Sequence, residues 1–242
     1  DSWQSVDLFG EKNISLIWTD SEGKLFIAGC SGEANSPDGV TRGHTLYCST
    51  DGLKSFVPLT APDPVKYENS SYYGFVPQRI TSDSRYIYIT FASSGEVFYG
   101  GMGAYACDTG SLSGGKVYRY RIENGVPVFN KDITPEDHIP CGYSGICSNG
   151  KMLLLSTVCR KNGGDIIYTS TDSGESWKII MNRLEYCRFD WNIPYMKPRY
   201  NGGGNCVHWI SDIKLSPFDS DTALFNTGTG LFMITGLASG DV

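Results

Sequence analysis

Along Arg85-Tyr86-Ile87-Tyr88-Ile89-Thr90-Phe91 apolar and polar side chains alternate with the period of a strand, which predicts a β-strand with one buried face. Shorter runs of the same kind recur. They are Ile14-Ser15-Leu16-Ile17-Trp18, Lys24 to Gly29, Leu46-Tyr47, Phe75 to Ile80, Lys116 to Arg121 and Val126 to Phe129. Others follow at Lys151 to Val158, Ile166-Ile167-Tyr168, Lys178-Ile179-Ile180, Trp209 to Leu215, Thr222 to Gly228 and Gly230-Leu231-Phe232. Gly, Asp and Ser clusters separate them at roughly ten-residue spacing, an all-β signal. Between them lie long irregular stretches. Residues 31–44 are polar and Gly-rich and are expected on a rim, and 92–115 exceeds what compact domains carry without a functional reason.

One unit organises the rest. Ser170-Thr171-Asp172-Ser173-Gly174-Glu175-Ser176-Trp177 stands between two short strands. Its Asp can bond the backbone two residues on, its Gly can take a positive φ, and its Trp returns as an anchor. Ser-x-Asp-x-Gly-x-x-Trp is the Asp-box spacing, with Ser170, Asp172, Gly174 and Trp177 as its structural residues. A second copy at 46–56 keeps Ser49, Asp51 and an aromatic, Phe56, but has Leu53 in the Gly position. Ser2-Trp3 resembles the back half of a third, and the Glu123-Asn124-Gly125 hairpin stands where another box would be.

These units make repeats at about 1–60, 75–135, 140–181 and 205–242, and the last stops before its outer hairpin. Repeats of this size are the mark of blades, so the fold expected is a β-propeller, either closed by residues 2–6 or forming part of a larger ring, which the resemblance given below implies is seven-bladed.

Composition narrows the function. Gly supplies 29 of 242 residues, above the usual ~7 per cent, as many tight turns require. A net charge of −6 without any Lys/Arg run argues against a nucleic-acid partner. No apolar run is long enough to span a membrane, and no signal-peptide pattern opens the chain, which fits a mature form. The eight cysteines, at 30, 48, 107, 141, 147, 159, 187 and 206, lack zinc-like spacing, so oxidised pairs of open connectivity are expected. With the sequons at Asn13 and Asn69 this points to secretion. No cofactor or metal is implied, and Asp219 and Asp221 lack the further oxygen ligands that calcium needs.

The ordered set Phe75-Val76-Pro77-Gln78-Arg79, Tyr88-Ile89-Thr90-Phe91, Gly115 to Tyr120, Asp132-Ile133-Thr134-Pro135, Trp209-Ile210-Ser211-Asp212, Pro217 to Asp221 and Gly228-Thr229-Gly230 resembles the xyloglucanases of glycoside hydrolase family seventy-four. Gln78 replaces the family's His, and Ser216 an Asp. The resemblance implies part of an N-terminal propeller in an inverting, two-propeller endo-β-1,4-glucanase, with xyloglucan or β-glucan oligomers as partners. The settings of both catalytic aspartates do not occur, so no catalytic residue is assigned.

Aromatic rings stack on sugar C–H faces, which makes Trp209, Trp191, Tyr195 and Tyr200 the candidate subsites. By resemblance Trp209 faces the glucan backbone. His208, Gln78, Arg79 and Asp212 are candidates for bonding hydroxyls. Asp20, set before Gly23, reads as a turn residue rather than an acid. The alternative is a non-catalytic propeller that binds carbohydrate or protein.

Overall fold

The alternating runs pair as antiparallel neighbours. The computed structural model describes residues 14–30, 45–59, 75–93, 115–136, 142–158, 165–182, 210–227 and 230–239. Its strands are β1 (Ile14–Thr19), β2 (Phe26–Cys30), β3 (Leu46–Ser49), β4 (Val57–Pro58), β5 (Phe75–Ser82), β6 (Tyr86–Ser93), β7 (Gly115–Glu123), β8 (Val126–Asp132), β9 (Gly142–Ser148), β10 (Leu153–Val158), β11 (Ile166–Ser170), β12 (Lys178–Asn182), β13 (Asp212–Leu215), β14 (Ala223–Thr227) and β15 (Gly230–Ile234). No helix occurs among the described residues.

Strands β1–β4, β5–β8 and β9–β12 form three four-stranded sheets in chain order, and β13–β15 form a three-stranded fourth. A lone pair, Ala92 with Gly142, links the second and third at one corner. These sheets are the blades of a β-propeller. The inner strands β1, β5, β9 and β13 lie side by side in that order.

The two ends of the blades differ. Residues 20–25, 50–56, 83–85, 124–125, 149–152, 171–177 and 216–222 join consecutive strands within a blade by short turns at one face. Asn124 and Gly125 there have φ of 53° and 81°, the paired left-handed conformation of a tight hairpin. The strand ends joined by residues 31–45, 59–74, 94–114, 133–141, 159–165 and 183–211 lie at the opposite face. The inner strands start there too, since Gly29 meets Pro77 and Gly145 meets Asp212.

Each core lies between two blades. The first combines Ile27, Leu46 and Cys48 with Ile87, Ile89, Phe91, Tyr118 and Tyr120. A second combines Tyr88, Val117 and Ile133 with Tyr143, Ile146, Leu155 and Tyr168. The third combines Cys147, Leu154 and Ile167 with Ile213, Phe225 and Phe232. This corrects the expectation for β6. Ile87 and Ile89 face the first blade while Tyr88 turns to the third, and Thr90 is buried as well, so both faces of the strand are covered. Blades stacked face on face leave a middle strand no solvent side.

The oxidised-cysteine expectation also changes at two positions. Cys48 and Cys147 are buried thiols within the packed cores. Burial pushes the Cys48 thiol up and the Cys147 thiol up to about 12. Cys107, Cys141, Cys159, Cys187 and Cys206 lie outside the described residues, as do residues 2–6 and the sequon asparagines Asn13 and Asn69.

Candidate functional site

Three of the sequence-derived site residues are described, and all three stand on inner strands. Pro77 has no N–H to give the ladder, and the register slips beside it: Pro77 opposes Phe91 while Arg79 opposes Thr90, which leaves Gln78 as a bulge. The slip recurs at Ser15 in β1 and at Ser144 in β9. In the fourth blade Ser211 donates its amide to Asn226 O at 2.9 Å, and Asp212 also pairs with Asn226. Leu16, Arg79, Gly145 and Asp212 are therefore equivalent positions, each following its bulge.

The bulge aims Arg79 across the neighbouring blade. Its Nη1 donates to Gln78 O at 2.9 Å, its Nη2 reaches Ser211 O at 3.5 Å, and its Nε stands 3.9 Å from Asp212 Oδ2. Gly145 makes this reach possible. A Cβ there would stand 2.7 Å from the Ile213 amide nitrogen and 3.0 Å from Asp212 Cα, so only glycine lets β13 press onto β9 and bring Asp212 to the arginine. Asp212 Oδ1 accepts the Ile213 amide at 2.9 Å, and Lys214 Nζ stands 3.2 Å from Oδ2.

The cluster is a half-exposed carboxylate between two cations whose guanidinium and ammonium hold more donors than these contacts use. It is suited to bonding a polar ligand. Gln78, the bulged residue, is itself buried. Lys214 was not anticipated from the sequence; the repeated Ser-x-Ile of Ser15, Ser144 and Ser211 is the signal that aligns the inner strands and reveals it. Trp191, Tyr195, Tyr200, His208 and Trp209 lie outside the described residues.

At the opposite face the 170–177 turn is a lock. Ser170 Oγ donates to Asp172 Oδ1 at 2.8 Å and accepts the Gly174 amide at 2.9 Å. Asp172 also accepts the Ser176 amide at 2.9 Å and its hydroxyl at 2.6 Å. Slight burial pushes the Asp172 carboxyl up, but the Ser176 and Ser170 bonds outweigh it and bring it to about 2. The copy at 49–55 makes the same bonds, and the Ser55 hydroxyl, the Ser55 amide and the Ser49 hydroxyl hold Asp51 at about 2. Leu53 adopts φ 70° there, where Gly174 has 85°.

The lock fastens to the second blade. Trp177 Nε1 donates to Ile133 O at 2.7 Å, Arg119 donates to Ser173 O and Glu175 Oε1 at 2.8 Å, and Lys131 pairs with Glu175. An open, polar cavity of ≈ 330 Å³ lies between Lys131–Glu136 and Gly174–Trp177.

The other acids singled out in the sequence serve turns. Asp20 Oδ1 accepts the Lys24 and Leu25 amides at 2.8 and 3.2 Å. Asp219 accepts the Asp221 amide and the Ser216 hydroxyl, and Asp221 accepts the Gly236 and Ala238 amides.

A scan against protein-family models and a search of curated proteins find no match. Among solved structures, the chain is similar to a GH74 xyloglucanase from Xanthomonas campestris, with TM-score 0.64 and 20% identity over 95% of this chain and 30% of that one. The likeness is one of fold. A structure of the nidogen/laminin complex follows at TM-score 0.53 and 11% identity, covering 96% of this chain and 64% of its own. A Xanthomonas campestris gluconolactonase gives 0.50 and 11%, covering 96% and 60%. The chain spans less than a third of the xyloglucanase.

Proposed function

We propose that this chain forms one wall of the glycan cleft of a secreted xyloglucanase-type glycoside hydrolase, with the catalytic carboxylates supplied from outside these residues. The observation that supports this most is the Arg79–Asp212–Lys214 cluster, held by the bulged inner strands at the face where the long connections begin and end. Its spare N–H donors suit sugar hydroxyls. The Trp191, Tyr195, Tyr200 and Trp209 rings supply the stacking surface in this reading, and His208 a further hydroxyl contact. The two locked turns are Asp-boxes, and four of the five cysteines outside the described residues are oxidised in two pairs.

Titration calorimetry with xyloglucan oligosaccharides tests the proposal. The chain binds them without hydrolysing them. Trp209→Ala, which removes one stacked ring worth on the order of 1 kcal/mol, weakens binding by roughly tenfold or less, and Arg79→Ala weakens it by a similar factor. Hydrolysis by these residues alone refutes the assignment of the carboxylates elsewhere. No binding to any β-glucan refutes the glycan reading and favours a protein-binding propeller.

A further inference from the structure

The open cavity of ≈ 330 Å³ between the exit of the second blade and the lock of the third shares no residue with the Arg79–Asp212–Lys214 cluster. Its walls are set before any ligand arrives. The Trp177 indole bond to Ile133 O and the Lys131–Glu175 pair tie them together, and Gly174 is pressed against the Ile133 side chain.

Several of the polar groups that line it are already committed. Thr134 Oγ1 donates to Asp132 and accepts the Val117 amide at 3.0 Å, and Ser176 gives both its amide and its hydroxyl to Asp172. The Glu136 carboxylate, by contrast, is exposed and has no partner among the described residues. The exposed Lys131 ammonium uses one of its three N–H groups, on Glu175. An acceptor, a donor and the half-buried Trp177 indole therefore face one space.

Charge decides what suits it. Asp132 is held by Lys116 at 2.7 Å, and Glu175 by Arg119 at 2.8 Å as well as by Lys131. With Glu136 these make three acids against three bases, so the cavity and the side chains paired with it carry no net charge. An ion entering there would lose hydration without a surplus of opposite charge to replace it. An uncharged molecule with hydroxyls that both donate and accept, and with an apolar face for the indole, meets no such cost.

We propose that this cavity is a carbohydrate site separate from the cluster on the inner strands, taking a neutral mono- or disaccharide. One C–H face of the sugar lies on Trp177, a hydroxyl donates to Glu136, and another accepts from Lys131. The volume is at the small end for ligand pockets, which suits a short saccharide or a chain end rather than the middle of a polymer. The site does not depend on the cleft reading.

Nitrogen-15 NMR of the assigned Trp177 indole N–H tests it, with glucose, galactose, xylose and cellobiose as probes at up to about 50 mM. At least one of them should shift this resonance saturably, with a Kd on the order of 1 mM. Glu136→Ala and, separately, Lys131→Ala should each weaken that binding by at least about threefold, and circular dichroism verifies that both variants keep their fold. Glucuronate and glucosamine, which place a charge on the same kind of ring, should bind more weakly than the tightest neutral probe. No saturable shift with any probe, a shift that neither variant weakens, or a charged sugar bound as tightly as the neutral one overturns the proposal. Because the signal is read at Trp177, its failure leaves the calorimetric test of the cleft unaffected.

Discussion

Gly174 and Ile133 claim the same space: a Cβ on Gly174 would stand 2.5 Å from Ile133 Cδ1, in a residue already at φ 85°. The turn of the third blade and the strand exit of the second are fitted to each other at a single atom. The Trp177 indole bond to Ile133 O holds them there.

Gly174→Ala therefore combines left-handed strain with overpacking and should destabilise the fold by about 2–4 kcal/mol. Ile133→Val removes the clashing methyl. In a double-mutant cycle by urea denaturation the pair should cost less than the sum of the singles. Additive effects would show that the clash is not the cause.

Leu53 is the converse case. It holds φ 70° with 38% of its surface exposed, in the position where the other lock has glycine. Leu53→Gly should stabilise by roughly 0.5 kcal/mol, the relief of left-handed strain being partly offset by the extra freedom of the unfolded chain. A loss of stability on thermal melting would contradict this account.

Asp51 and Asp172 sit at about 2 in the fold, against an ordinary 3.8. The native state binds fewer protons than the unfolded chain between these values, so the contribution is complete above about pH 4 and disappears as pH falls toward 2. Asp51→Asn with Asp172→Asn should flatten stability against pH in that window. An unchanged slope would sink the assignment.

Arg119 is buried and serves Asn130, Ser173 and Glu175 at once, with its guanidinium 4.5 Å from the Tyr86 ring centroid. Arg119→Ala should cost about 3 kcal/mol, and Arg119→Lys should recover only part, since an ammonium cannot fork to three partners.

Alkylation separates the cysteines. Cys48 and Cys147 should resist labelling in the native protein and label once it is unfolded without reductant, while bridged cysteines stay blocked throughout. Full labelling of all eight after unfolding without reductant would void the secreted assignment.

The strands and both locks were legible in the sequence because period-two alternation and Asp-Gly turn chemistry are local. Burial on both faces of β6 was not legible, because Tyr88 and Thr90 read as polar until a second blade is seen to lie on them. Arg79 and Asp212 were each singled out, but their meeting depends on Gly145, whose missing side chain matters only once β13 lies against β9. Lys214 was missed for the same reason: its partner is set by a register that spans blades.

Each core belongs to a junction, so a row of four blades owns three interiors. Removing an inner blade strips two of them, while removing an end blade strips one. Protection from hydrogen exchange should accordingly rise toward the middle of the row, with β6 and β10 the last to open and the terminal sheets fraying first.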